Sequence, residues 1–169
     1  AASTCTAVVF LTPSRIDVRV PNLGTPDPEL ATDILSGLLD NMGIAMMETR
    51  EDRFLSALQP FVTIADTSEV AAELRRGLSV SLPSGALAST EMVDAITLED
   101  ISTIKGGARL LARWDAYVSG GHWGHEHRRV VAYRALLDVA EDRGAWKLSG
   151  LTILESRTPT DTPDPETNS

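Results

Sequence analysis

The chain has 169 residues, of which 43% are hydrophobic and 23% charged, and its formal net charge is −9. This composition is typical of one soluble globular domain. The acidic balance, with a pI of about 4.7, provides no basic stripe for phosphate groups, so we expect neither nucleic acid nor an anionic membrane surface as a partner. No run of about 18 apolar residues is present, so we expect no transmembrane helix within the sequence.

The sequence begins with the small residues Ala1-Ala2-Ser3 and no initiator methionine. Small residues are typical of a signal-peptide cleavage site, which favours a mature extracytoplasmic protein; a trimmed sequence is the alternative. Cys5 is the single cysteine, so no intrachain disulfide can form.

The first 80 residues predict a β-hairpin followed by helices. Two short segments over 6–20 alternate apolar and polar residues, as paired strands do. Asp27 and Pro28 then predict a helix start, and apolar residues at helical spacing continue to about Met47. A second helix is predicted over about 50–58, with Thr49 to Asp52 resembling a capping box, and a third begins near Asp66.

From residue 91 the periodicity changes to two and predicts an antiparallel meander over 91–156. Its strands are expected over about 92–98, 108–118, 125–139 and 146–155, with Gly120-Gly121 and 141–144 as turns. The segment 158–169 is acidic, rich in Pro and Thr and without large apolar residues, so we expect a disordered tail. The prediction is therefore one α+β domain over 1–157 followed by that tail.

All three histidines lie in the string His122-Trp123-Gly124-His125-Glu126-His127-Arg128-Arg129. Because residues two apart share a face of a strand, we expect the side chains of His125 and His127 to project together with that of Trp123. An exposed hairpin tip with Trp, His and Arg is a candidate surface for binding a partner. The binding residues predicted on this basis are Trp123, His125, His127, Arg128 and Arg129.

The same histidines are a candidate metal site. Two imidazoles at i and i+2 can bind one zinc or copper ion, and His122 could supply a third ligand beside His125 and His127. Zinc prefers about four ligands, and the sequence offers only two with good strand geometry. The alternative is a structural hairpin end without metal, and we expect no cofactor.

The order of helices and strands resembles the cystatin-like, or NTF2-like, α+β roll, in which a long helix packs into the concave face of a curved sheet. The string Gly-His-Trp-Gly-His-x-His-x-Arg, followed by Tyr133, Trp146-Lys147 and Glu155, is similar to a group of uncharacterised bacterial extracytoplasmic proteins. The resemblance covers about residues 110–157. It implies an NTF2-like fold and a periplasmic location, but no activity.

Three functional hypotheses follow. The first is a non-enzymatic extracytoplasmic NTF2-like module that binds a protein partner or a small ligand, as an accessory subunit of a larger assembly, a homodimer or part of a membrane complex. The second is an NTF2-like isomerase or dehydratase with a cone-shaped pocket, in which Tyr133 would be the proton donor and the base is unidentified. An interior filled by Met42, Met46 and Trp114 would argue against this enzyme. The third is a protein that binds zinc or copper through the histidine hairpin.

Overall fold

The computed structural model describes residues 24–78, 89–122 and 125–157, and at 89–93, 118–122 and 125–129 it describes the backbone alone. The predicted N-terminal hairpin (6–20) and the predicted tail (158–169) lie outside these residues. The described part contains three α-helices and four strands, which form an antiparallel sheet.

Helix α1 spans Pro28–Met46, close to the helix predicted from its sequence. The carboxylate of Asp27 caps it by accepting a hydrogen bond from the backbone N–H of Leu30 at 2.9 Å, and Pro28 occupies the first turn, where its missing N–H costs nothing. One face of α1, including Leu35 and Met42, is fully buried.

Helices α2 (Glu51–Leu58) and α3 (Thr67–Leu78) complete the helical layer, with a single 3-10 turn, Ile64–Asp66, between them. The predicted capping box at Thr49 is wrong. The N-cap of α2 is Arg50, which makes no side-chain cap bond and instead pairs with Asp52 at 2.7 Å.

The sheet consists of β1 (Ser89–Ile104), β2 (Gly107–His122), β3 (His125–Asp142) and β4 (Ala145–Arg157), ordered as in the chain. Each strand pairs with the next in antiparallel orientation. In the last turn Arg143 and Gly144 both have positive φ, of 57° and 82°, as a tight hairpin turn between twisted strands requires.

The turn predicted at Gly120-Gly121 is wrong. Both glycines lie within β2 and pair with His127 and Glu126 of β3, and the ladder ends at the pair His122 and His125. The long β2–β3 ladder therefore continues past the point at which two glycines suggested a turn.

One face of the sheet packs against the helices and the other does not. Helix α1 packs mainly against β1, and α3 packs against β4. Alternate residues of the two central strands are buried beneath this layer, as strand geometry requires. They are Ala108, Leu110, Ala112, Trp114 and Ala116 on β2, and Val131, Tyr133, Ala135, Leu137 and Val139 on β3.

This architecture agrees with the α+β class but not with an NTF2-like (cystatin-like) roll. That roll was expected to place one long helix in the concavity of the sheet. Here three helices share the layer on one face of a simple four-stranded meander, with α1 at the β1 edge and α3 at the β4 edge. The sequence motifs that suggested the NTF2-like roll lie in β-hairpins. The sequence of a hairpin does not determine where the helices pack on the sheet.

Candidate functional site

The predicted histidine site lies at the β2–β3 end of the sheet. The backbone register pairs His122 with His125 and Gly120 with His127. Trp123 is outside the described residues, and the side chains of 122 and 125–129 are outside the description as well. The predicted binding role of Trp123, His125, His127, Arg128 and Arg129, and the predicted metal role of His122, His125 and His127, therefore stay predictions. Among the described residues, no group of three His, Cys, Asp or Glu side chains could hold a metal ion.

The interior between helices and sheet is closed around Tyr133. Its ring stacks on that of Trp114 with the centroids 5.5 Å apart, and only 2% of Tyr133 is exposed. Burial raises the pKa of the Tyr133 hydroxyl to about 12, so this group holds its proton far above neutral pH. Such a group is poorly matched to proton transfer at neutral pH, for which a pKa near 7 is best.

The cavity beside Tyr133 has a volume of only about 20 Å³. Trp114 and the α1 residues Met42 and Met46 line it together with Leu39, Gly43, Leu78 and Ala116. A space of this size holds about one water molecule. Met42, Met46 and Trp114 therefore fill the interior, which is the packing that argues against the enzyme hypothesis.

The opposite face of the sheet, here called the open face, carries the alternate residues of β2, β3 and β4. Its middle is apolar, because Leu111 pairs in register with Leu136, which pairs with Thr152, and both leucines are half-buried. The next row toward the β2–β3 end consists of Arg113, Arg134 and Glu155.

Charges on the open face are joined across all four strands by hydrogen bonds and ion pairs. The carboxylate of Glu99 on β1 accepts from Arg113 and, at 2.7 Å, from Nε of Arg134. Arg134 also lies 3.8 Å from Glu155, whose other oxygen is 2.9 Å from Arg157. The hydrogen bond from Arg134 is the main reason that the pKa of Glu99 is lowered, although partial desolvation opposes it.

A second ion pair lies on the other side of the leucine row. Arg109 donates two parallel hydrogen bonds to Asp138, at 2.6 and 2.7 Å, which is the bidentate geometry that guanidinium and carboxylate groups favour. The leucine row is therefore bordered on both sides by paired charges.

Clefts open at the surface of the described region. One, of about 430 Å³, is lined by Arg113, Ala132, Tyr133, Arg134, Glu155 and Arg157; we call it the arginine cleft. A second, of about 420 Å³, lies at β4 beside Arg109, Asp138 and Glu69. A third, of about 170 Å³, lies beside Gly106, with Glu141 as its charged residue.

The sequence analysis assigned no role to the arginines of the open face or to Glu99. In the structure Glu99 holds two of these arginines. The strand register could have been predicted from the sequence. If two residues separate the strands after His122, the pairing of His122 with His125 places Arg113 opposite Arg134 and Arg109 opposite Asp138. The turn assigned to Gly120-Gly121 obscured this register.

Across the residues that the structure describes, the geometry defines an α+β domain whose helix-covered face has a filled interior and whose other sheet face carries linked charges. No family model matches the sequence, and no curated protein matches it. A solved structure of similar fold is the intermembrane space region of the chloroplast protein ARC6, with a TM-score of 0.50 and 15% identity, covering 76% of this chain and 96% of that one. At this identity the likeness concerns the fold alone. It does not support an NTF2-like assignment, so that prediction was wrong.

Within the described residues, none of the helices is both long enough and apolar enough to cross a membrane.

Proposed function

We propose that this chain is a non-enzymatic protein-binding module whose contact surface is the open face of the sheet. The observation that carries the proposal is the contrast between the two faces. The helix-covered face encloses about 20 Å³, while the open face presents Leu111 and Leu136, half-buried, between rows of paired charges. An apolar centre with a polar rim in which arginine is abundant is the usual anatomy of a protein interface.

The volume of the interior favours a binding surface over a pocket for a small molecule. Sites for small ligands and cofactors typically measure about 300–1,000 Å³ and are predominantly apolar. The apolar cavity beside Tyr133 has a volume of about 20 Å³, which is less than a tenth of the lower end of that range. The larger clefts are open and polar, which suits contact with a partner's side chains.

The compartment in this proposal is extracytoplasmic, in the periplasm of a bacterium. It rests on the resemblance of the histidine string to extracytoplasmic proteins. In that setting the module would be an accessory subunit of a larger assembly.

Site-specific photo-cross-linking in the producing cell tests the proposal. A benzophenone amino acid replaces Leu136 in the middle of the open face, and in a control it replaces Asp33, which is exposed on α1. We expect a discrete protein adduct from position 136 and none from position 33. Equal adducts from both positions, or none from position 136, would contradict the proposed surface.

A further inference from the structure

The arginine cleft has a different charge from its surroundings. Three guanidinium groups and one carboxylate, that of Glu155, belong to its lining. The cleft at Arg109 contains two acids for one base, and the cleft beside Gly106 contains an acid alone. Glu99 and Asp115 border the cleft in the same two cross-strand rows, so the excess of cations is that of the lining itself.

The negative charge of the protein is concentrated elsewhere. Residues 24–78, which form the helical layer on the other side of the sheet, contain ten acidic residues and four basic ones. At physiological salt the Debye length is about 8 Å, so charges on the far side of the domain are largely screened from a group that approaches the open face. An anion at the arginine cleft therefore experiences mainly the local groups, which are the three arginines together with Glu155, Glu99 and Asp115.

Donor groups remain available in the cleft. Each guanidinium has five N–H donors. Among described residues, Arg113 donates only to Glu99, and Arg157 contacts only Glu155 at 2.9 Å. The side chains of Arg113 and Arg157 are 59% and 77% exposed, so most of their N–H groups are accessible to a ligand.

The spacing of Arg134 and Arg157 fits an extended chain. Arg113 and Arg134 share one cross-strand row, and Arg157, opposite Ala132, lies in the adjacent row of the same face. Arg134 and Arg157 are therefore on neighbouring strands one row apart, whereas Arg113 lies one strand further away. Adjacent rows are two residues apart along a strand, or about 7 Å. This is also the distance between side chains at positions i and i+2 of an extended peptide.

We infer that the arginine cleft binds carboxylate groups of an acidic, extended segment of the protein partner, with acids at positions i and i+2. The inference rests on the proposed function and adds the chemistry of the partner to it. Guanidinium groups suit this role because they stay charged and form two parallel hydrogen bonds with a carboxylate.

The test uses the full chain and a labelled six-residue peptide in which Glu and Thr alternate, with binding followed by fluorescence anisotropy at low salt. We expect the double substitution Arg113→Gln with Arg157→Gln to weaken binding at least tenfold. The matched control, Arg50→Gln with Arg53→Gln on the exposed side of α2, should change it less than twofold. Absence of binding, or the same loss in both double variants, would overturn the inference.

Two further measurements distinguish a different occupant of the cleft, and a failure of the carboxylate inference alone, from a failure of the proposed function. If Asp161→Asn, Asp164→Asn and Glu166→Gln together raise the affinity for the peptide tenfold, the occupant is the acidic C-terminal segment of this chain, and the partner assignment is overturned. If position 136 cross-links to a protein although the peptide does not bind, the proposed function stands and the carboxylate cleft does not.

Discussion

Glu73 on α3 accepts a hydrogen bond at 2.8 Å from the backbone N–H of Ile153, on the outer edge of β4. Arg76, one turn further along α3, donates to Glu73 at 2.6 Å and lies 3.4 Å from the Ile153 carbonyl oxygen. At Ile153, two side chains thus make the hydrogen bonds that a neighbouring strand would make. Natural sheets often protect exposed edges with charged side chains in this way.

Replacing Glu73 with Ala should destabilise the fold by about 1–2 kcal/mol, because the N–H of Ile153 loses its acceptor in a partly buried position. Glu73→Gln keeps an acceptor oxygen and loses only the ion pair with Arg76, which is 63% exposed, so a clearly smaller loss than in the alanine variant is expected. Urea unfolding of both variants measures the difference. Equal losses in the two variants would show that the charge, and not the hydrogen bond to Ile153, matters at this edge.

Local signals were sufficient for the elements but not for their long-range partners. The Asp27-Pro28 helix start and the turn at Arg143-Gly144 depend on residues close in sequence, and the structure places both as predicted. Glu99 could not be recognised as the centre of a charge network, because its partners are 14 and 35 residues away.

The error in fold family has a related cause. The strings near Tyr133 and Trp146 specify two strands and a turn, and many α+β folds contain such hairpins. The position of α1 on β1 and of α3 on β4 depends on the fit between apolar faces, which no short string encodes.

Acid should destabilise the protein through two glutamates. Hydrogen bonds from Arg76 and Arg134, respectively, lower the pKa of Glu73 and that of Glu99 below the ordinary value of 4.5. A lowered carboxyl pKa adds stability above about pH 4.5, and this contribution disappears as the pH falls through the native-state pKa.

We therefore expect the free energy of unfolding to fall between about pH 5 and pH 3. Urea titrations at half-unit pH intervals measure this slope. Glu99→Gln should make the slope shallower, because residue 99 then no longer titrates. A slope in the Glu99 variant equal to that of the natural chain would exclude the Glu99 contribution.

Gly107 permits the close contact between β2 and β3 where the hairpin begins. A Cβ atom at this position would lie 1.9 Å from the carbonyl oxygen of Val139, which is backbone and cannot move aside cheaply. Gly107→Ala should therefore cost about 3 kcal/mol or more, at the upper end of the range for overpacking. The midpoint of thermal unfolding is the measurement.

Gly37 provides the matched control for the same substitution. It lies on the exposed side of α1 with no atom within 4 Å of an added Cβ. Because alanine is the better helix former by about 1 kcal/mol, Gly37→Ala should raise the unfolding midpoint. If both alanine variants shifted stability in the same direction, the contact with Val139 would not be the cause of the Gly107 effect.

Burial of Tyr133 should make stability sensitive to alkali. Its hydroxyl has a pKa of about 12 in the folded protein, against 10.0 for an ordinary tyrosine, because desolvation disfavours the phenolate. Between these values the unfolded chain releases the proton more readily than the native one. The free energy of unfolding should therefore be unaffected by this group below pH 10 and decrease as the pH rises toward 12.

Tyr133→Phe keeps the ring against Trp114 and removes the titrating group, so its unfolding free energy should decline less steeply over the same interval. Tyr117→Phe, at the other tyrosine, serves as the control, because Tyr117 lies on the open face and not in the core. Urea unfolding at pH 9, 10 and 11, with tyrosinate absorbance recorded alongside, compares the three proteins. A Tyr133→Phe profile parallel to that of the natural chain would mean that the hydroxyl is hydrated, and the closed interior on which the binding hypothesis depends would have to be reconsidered.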